Sequence, residues 1–286
     1  MTTVTPLTSG RLPGAGSTRS PVARFAGLLR AEWTKIRSVR STIWTLILFV
    51  VLTVGLTAGL TALIVGTWTN GTAAEAAARN APIILDPVGF VLGAGIGLGQ
   101  LTICVLGVLL ITTEYSTGVI KASLLAVPKR LPMLMAKIAV FAAMMVVLAE
   151  IVSFGCFFVG TLLLHSKVPV SINDPGVIRA VVGAGLYLSV LGLFSLGIGL
   201  LMRHTAGAIA TAIGAVFVLP ILTGFLPDSW GKHINAYLPQ QAGQVVFAAH
   251  ANAGQLLSAW EGFGVFCLWT VVLIGFGAYL LQRRDA

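Results

Sequence analysis

Six apolar runs, each about twenty or more residues long and nearly free of charge, decide what this chain can fold into. An α-helix rises about 1.5 Å per residue and the hydrocarbon core of a bilayer is about 30 Å thick, so each run is long enough to cross it. The runs are placed at Ile43–Val65, Val88–Ile111, Ile138–Leu164, Val177–Leu201, Ala206–Leu226 and Phe263–Leu281. Asp, Glu, Lys and Arg make up only 9% of the 286 residues, where a soluble domain carries about a quarter. Lipid is the solvent that suits such a chain. The expected fold is an all-α integral membrane protein with six transmembrane helices. Pro220 inside the fifth run predicts a kink relieved by neighbouring helices.

The net charge of +9 does not point to nucleic acid, because the basic residues sit in short clusters between apolar runs rather than on a polar face. Their distribution sets the orientation instead. The N-terminal region, the second-to-third and fourth-to-fifth connections and the C-terminus together carry 14 Lys and Arg, and the opposite connections carry 4 (Arg79, Lys167, Arg179 and Lys232). Cytoplasmic loops are enriched in Lys and Arg, so both termini are expected in the cytoplasm.

Residues 1–21 are rich in Thr, Ser, Pro and Gly and are expected to form a disordered cytoplasmic tail. About 40 residues precede the first apolar run, so that run is expected to stay in the mature chain and not to act as a cleaved signal. Over residues 22–41 a helical stripe of Val22, Phe25, Ala26, Leu29, Trp33 and Ile36 is predicted. Arg24, Lys35 and Arg37 lie outside it, and Arg30 and Glu32 lie on its flanks. This is the pattern of an amphipathic helix lying in the membrane interface, turning at Arg40 into the first span. Residues 42–286 then form the membrane domain. Within it, segment 112–137 is cytoplasmic, and the charge-poor external segment 227–262 holds short, moderately apolar stretches suited to re-entrant or interfacial helices.

Motifs for chemistry are missing. There is no GxxxxGK[ST], HExxH or GxSxG, and the four His are scattered. Cys104, Cys156 and Cys267 lie singly in apolar runs, so no disulfide framework or metal site is expected. No catalytic residue is assigned. The one acid near the middle of a span is Glu150, whose insertion costs about 2.5–3.5 kcal/mol. It must face protein or water, either as a hydrogen bond tying two spans together or as a polar contact in a translocation path. The second span carries two overlapping GxxxG patterns, Gly93–Gly97 and Gly95–Gly99, and the fourth is rich in Gly. Both are read as close helix packing.

Several of these features occur in the order and spacing of a known family. The run Ala31-Glu32-Trp33-Thr34-Lys35-Ile36-Arg37 entering the first span resembles the connecting helix of type-2 permeases of ATP-binding-cassette (ABC) transporters, which have a six-span exporter fold. The segment Thr113-Glu114-Tyr115-Ser116-Thr117-Gly118-Val119-Ile120-Lys121, followed by Pro128-Lys129-Arg130 and Ala136-Lys137, resembles their cytoplasmic coupling region. The external stretch before the last span resembles their short re-entrant helices, and the ending Leu281-Gln282-Arg283-Arg284-Asp285 resembles that of bacterial members, which implies a bacterial plasma membrane.

The resemblance implies a transport subunit that is not itself an enzyme. A separate ABC ATPase would bind ATP and Mg, and this chain would carry no cofactor. A second permease copy or a sister permease would complete the pathway. Contact with the ATPase would fall to Trp33, Lys35, Arg37, Glu114, Tyr115, Lys121, Lys129 and Arg130. The implied cargo is an amphipathic or hydrophobic compound such as a drug, a lipid or a peptide antibiotic. A secondary transporter or channel, and a non-transporting immunity or scaffold protein, stand as alternatives.

Overall fold

A computed structural model of the chain describes residues 21–68, 80–81, 83–116, 130–202, 204–250 and 254–283. The proposed tail therefore lies almost wholly outside the described residues, as do Lys121 and Lys129 in the middle of the proposed coupling segment. No strand occurs among the described residues. Helix α1 (Pro21–Ser38) breaks at Val39, whose extended backbone starts α2 (Arg40–Gly66). There follow α3 (Pro87–Ser116), α4 (Arg130–Leu164), α5 (Val177–Met202) and α6 (Thr205–Thr223). The chain then forms two short helices, α7 (Asp228–Ala236) and α8 (Pro239–Gln244), a 3-10 turn at Val245–Phe247 and the final helix α9 (Ala259–Arg283). Six of these (α2 to α6 and α9) are long and apolar enough to cross a membrane.

Helix α5 is the hub. Of its central residues 78% are buried, against 17% for α6. Its glycines let the other elements come close, each at a different height. A Cβ at Gly183 would stand 2.7 Å from the Val246 carbonyl, at Gly192 3.3 Å from the Phe141 ring, and at Gly197 3.0 Å from Leu273. Between these contacts the fully buried Tyr187 donates a 2.7 Å hydrogen bond to Gln100 Oε1 of α3. Its ring packs 5.5 Å from both Phe247 and Phe266.

The overlapping GxxxG patterns on α3 divide their labour. Gly95 and Gly99 receive two rungs of a buried threonine ladder on α2 (Thr53 and Thr57), and a Cβ at either glycine would collide with Thr53, with Thr57 also in the way at Gly95. Gly93 and Gly97 face open space. Periodicity alone could not separate the two registers, because both satisfy the small-residue spacing.

In α6 the expected irregularity at Pro220 takes the form of a π-helical stretch, Gly214–Val218, immediately before the short helix that contains the proline. An extra residue in the turn is one of the few causes of a helix bend. The Pro220 carbonyl accepts from Thr223 Oγ1 at 2.8 Å and from Asn235 Nδ2 of α7 at 3.3 Å, so the bend is supported by a neighbour.

At the α3 N-terminal end, the segment between α6 and α9 beds into the bundle. Arg179 of α5 donates to the carbonyls of Val246, Ala248 and Ala249 at 3.0–3.2 Å. Asp86 accepts from the Ala249 amide at 3.2 Å and from the Gly89 amide at 2.9 Å, where it also closes the first turn of α3. Gly243 fits against Tyr187 and Phe266, and Gly262 sits under the Ala242 carbonyl.

Replacing Gly95 or Gly99 by Ala is expected to lower stability in detergent by about 1–3 kcal/mol through overpacking against α2, whereas Gly93→Ala and Gly97→Ala leave it nearly unchanged. Thermal unfolding followed by tryptophan fluorescence across the four variants measures the contrast.

Candidate functional site

The opposite end of the bundle holds the main concentration of buried charge among the described residues. Helix α3 has 30 residues and α4 has 35, lengths of about 45 and 52 Å that exceed the hydrocarbon thickness. Their polar ends, the last turns of α3 and the first turns of α4, carry Glu114 and Lys137. Helix α1 lies against the start of α4 and brings Glu32 to the same place.

Lys137 is 2% exposed and is the centre of the cluster. Its Nζ donates to Glu32 Oε2 and to Glu114 Oε1, both at 2.7 Å. Lys35, one turn along α1, donates to Glu32 Oε1 at 2.7 Å and stands 3.5 Å from Glu114 Oε1. Two cations and two anions from three helices thus form one neutral network. Removing a Lys ammonium from water costs several kcal/mol, and two carboxylates with short hydrogen bonds offset that cost where one would not.

The ionisable groups of α1 shift in response. Burial by itself would raise the Glu32 carboxyl, but the Lys137 ammonium and hydrogen bonds from both lysines outweigh it and hold Glu32 below the usual range. Burial would lower the Lys35 ammonium, but the hydrogen bond to Glu32 and the charge of Glu114 prevail and raise it.

The face that α1 turns inward differs from the predicted stripe. Glu32 and Ile36 are buried, while Trp33 is 49% and Phe25 37% exposed. The helix seats itself on the protein through an acid and an isoleucine and leaves its large aromatics outside. Of the residues assigned to partner contact, Lys35 and Glu114 are brought together, but inside the network and not on an open surface. Trp33 and Arg37 are exposed on α1, and the Tyr115 ring packs on the core beside Glu114. Arg130 begins α4.

Sequence reasoning placed Glu32 on the flank of a stripe and Lys137 among the topogenic charges at the end of the coupling-like segment, without pairing the two. A usable signal was present. Glu114 and Lys137 each lie at the border of an apolar stretch, and Glu32 is the one acid in the basic segment 22–41, in a chain with only nine acids; a charge that cannot reach water must find an opposite one.

Mid-bundle, Glu150 is half-buried with its carboxylate against Gly185 of α5, where a Cβ would stand 2.5–2.7 Å from the carboxylate atoms. Its Oε2 has no hydrogen-bond partner among the described residues. Glu150 therefore touches the neighbouring span at a glycine notch, and the notch explains how a carboxylate is accommodated there.

These features define a polytopic α-helical membrane protein whose amphipathic leading helix is locked by charge to two of its spans. No protein-family model matches the chain, and no curated protein matches it.

Replacing Lys137 by Met leaves two carboxylates facing each other in a buried site and is expected to cost about 3–5 kcal/mol. Adding Glu32→Gln and Glu114→Gln to that variant recovers part of the loss, which chemical denaturation of the purified single and triple variants resolves. The network also sets a pH window. The Glu32 contribution is present above the ordinary carboxylate range and is lost as pH falls through its lowered value. The Lys35 contribution is present below the ordinary ammonium range and is lost as pH rises through its raised value. Melting temperature against pH is therefore expected to show a plateau at neutral pH with losses on both limbs, and Glu32→Gln flattens the acid limb.

Proposed function

We propose that the chain is the membrane permease subunit of an ABC exporter, driven by a separate ATPase. The observation that carries this reading is the network of Glu32, Lys35, Glu114 and Lys137. It ties the amphipathic leading helix to both helices that flank the 117–129 connection, so a push on that connection or on α1 reaches the spans through one stiff charged joint. A motor bound at this end would need such a joint. Exposed Trp33 and Arg37, together with Lys121, Lys129 and Arg130, supply the contact surface in this reading. The network residues transmit force and are not gripped directly.

By this reading the cluster end faces the cytoplasm of a bacterium, in keeping with the 14-to-4 distribution of basic residues. Two copies, or this chain and a sister permease, enclose the pathway. The cargo is amphipathic or hydrophobic, because the spans offer few polar groups to a hydrated one. Efflux would be powered by ATP and Mg held in the partner.

A second reading, an ion-coupled secondary transporter, is favoured by Glu150, whose Oε2 is unpartnered at mid-span as a proton-carrying group would be.

Co-expression with P-loop ATPases encoded beside the gene, purification in detergent and an ATPase assay test the first reading. Activity is expected to travel with the chain and to be lost on charge reversal at Lys129 and Arg130. If no ATPase associates, and a proton gradient instead drives transport that Glu150→Gln abolishes, the second reading stands in its place.

A further inference from the structure

Glu150 stands about 20 Å along α4 from Lys137 and about as far from the end of the helix at Leu164. It is the one acid of the described spans that lies away from a helix end. Neither of its carboxylate oxygens accepts a hydrogen bond or joins an ion pair among the described residues. Oε2 is the covered oxygen. Oε1, equally without a partner, is the one that reaches the surface.

The described chain offers this carboxylate no counter-ion. In α2, α5 and α9 the basic residues stand in the first or last turn (Arg40, Arg179 and Arg283), and α3 has none. Arg179, on the same helix as Gly185, is taken up by three backbone carbonyls. Lys137 is held in the charge network. A second copy of the chain would bring the same spans, and so no cation at this depth. An unpaired charge in hydrocarbon is costly and marks a site where something else supplies the partner.

The surroundings narrow what that partner is. Val146, Val147 and Ile151 beside Glu150 are exposed and apolar. Phe154 and Phe158 continue the Glu150 row one and two turns further on, with ring centroids 6.4 Å apart. Side chains of a helix lean toward its N-terminus, so Phe154 leans toward the carboxylate. An anion would be repelled. A bare metal ion needs six or more oxygen ligands, where one carboxylate among aliphatic side chains supplies two at most. A cation clothed in apolar groups loses little hydration on entering, and aromatic rings add attraction to such an ion.

We propose that this face of α4 binds a lipophilic cation, an amine or quaternary ion with apolar substituents, with Glu150 as its counter-ion and Phe154 and Phe158 as its aromatic contacts. The cation meets Glu150 Oε1 and lies along the exposed row of α4. Its identity with the cargo rests on the permease reading, whereas its binding needs no motor.

Equilibrium dialysis of the purified full chain in detergent tests the site, against tetraphenylphosphonium and tetraphenylborate, two ions of one shape and opposite charge, with protein-free micelles as the blank. The cation is expected to bind about tenfold more tightly or better, and Glu150→Gln is expected to remove the difference. Should that variant fail to assemble, the unaltered chain is treated with dicyclohexylcarbodiimide, which attacks carboxyl groups in apolar surroundings, and the adduct is located by mass spectrometry of peptides. Labelling is expected at Glu150, suppressed by tetraphenylphosphonium and not by tetraphenylborate. Equal binding of the two ions overturns the proposal, as does a cation preference that survives Glu150→Gln. Labelling of Glu150 that tetraphenylphosphonium does not slow also overturns it, and leaves Glu150 a site for a proton alone. None of these readouts involves an ATPase, so a failed association in the co-expression experiment and a failed cation site are told apart.

Discussion

A buried ammonium that cannot be left alone organises one end of this protein. Lys137 sits two turns into α4, at a depth where water no longer reaches it. With a single carboxylate it would carry its desolvation cost largely uncompensated. Two carboxylates arrive from two other helices, Glu32 from α1 and Glu114 from α3, and Lys35 balances the second negative charge. The requirement for neutrality therefore fixes three helices relative to one another. Hydrophobic burial could not do this where lipid is the alternative, because an apolar face is as content in lipid as against protein.

Within the bundle a different rule governs. Lipid gives no hydrophobic reward for helix association, so the spans are held by close approach at small residues and by a few shared hydrogen bonds. Helix α5 shows both means, with glycine notches that admit Val246, Glu150, Phe141 and Leu273 and Tyr187 reaching Gln100. The threonine ladder of α2 against Gly95 and Gly99 repeats the device on the next interface.

The six spans were legible from apolar run length alone, and their observed limits differ from the expected ones by a few residues at most ends, more at the start of α4. The reason is physical: every backbone polar group in hydrocarbon must be satisfied within the helix, so a run of the right length has no other way to fold. Helix α1 was legible as a helix, with its end at Ser38 and the turn at Val39 close to the expected bend at Arg40. Its inward face was not. An amphipathic stripe reports where apolar side chains are, and it points inward only when the neighbour is apolar too. Here the neighbour is a lysine, so the acid at position 32 won the contact and Trp33 was left outside. Pairings such as Glu32 with Lys137 span 105 residues, and no local pattern encodes a partner at that distance. The same holds for Arg179, a lone basic residue in sequence, which collects three carbonyls about 70 residues downstream.

The seating of residues 239–249 has a bearing on how the chain is assembled as it leaves the ribosome. Their bed is built from both directions in sequence. Arg179 comes from α5 and Asp86 from just before α3, whereas Phe266 and Gly262, which close over Gly243 and Ala242, come from the last helix. Elements earlier in the chain supply half of the surroundings of this segment, including Arg179 under three of its carbonyls, and leave it without a roof. Only insertion of α9 supplies it. The final span is therefore the capstone of the membrane domain, and a chain released before it would lack the side chains that cover Ala242 and Gly243.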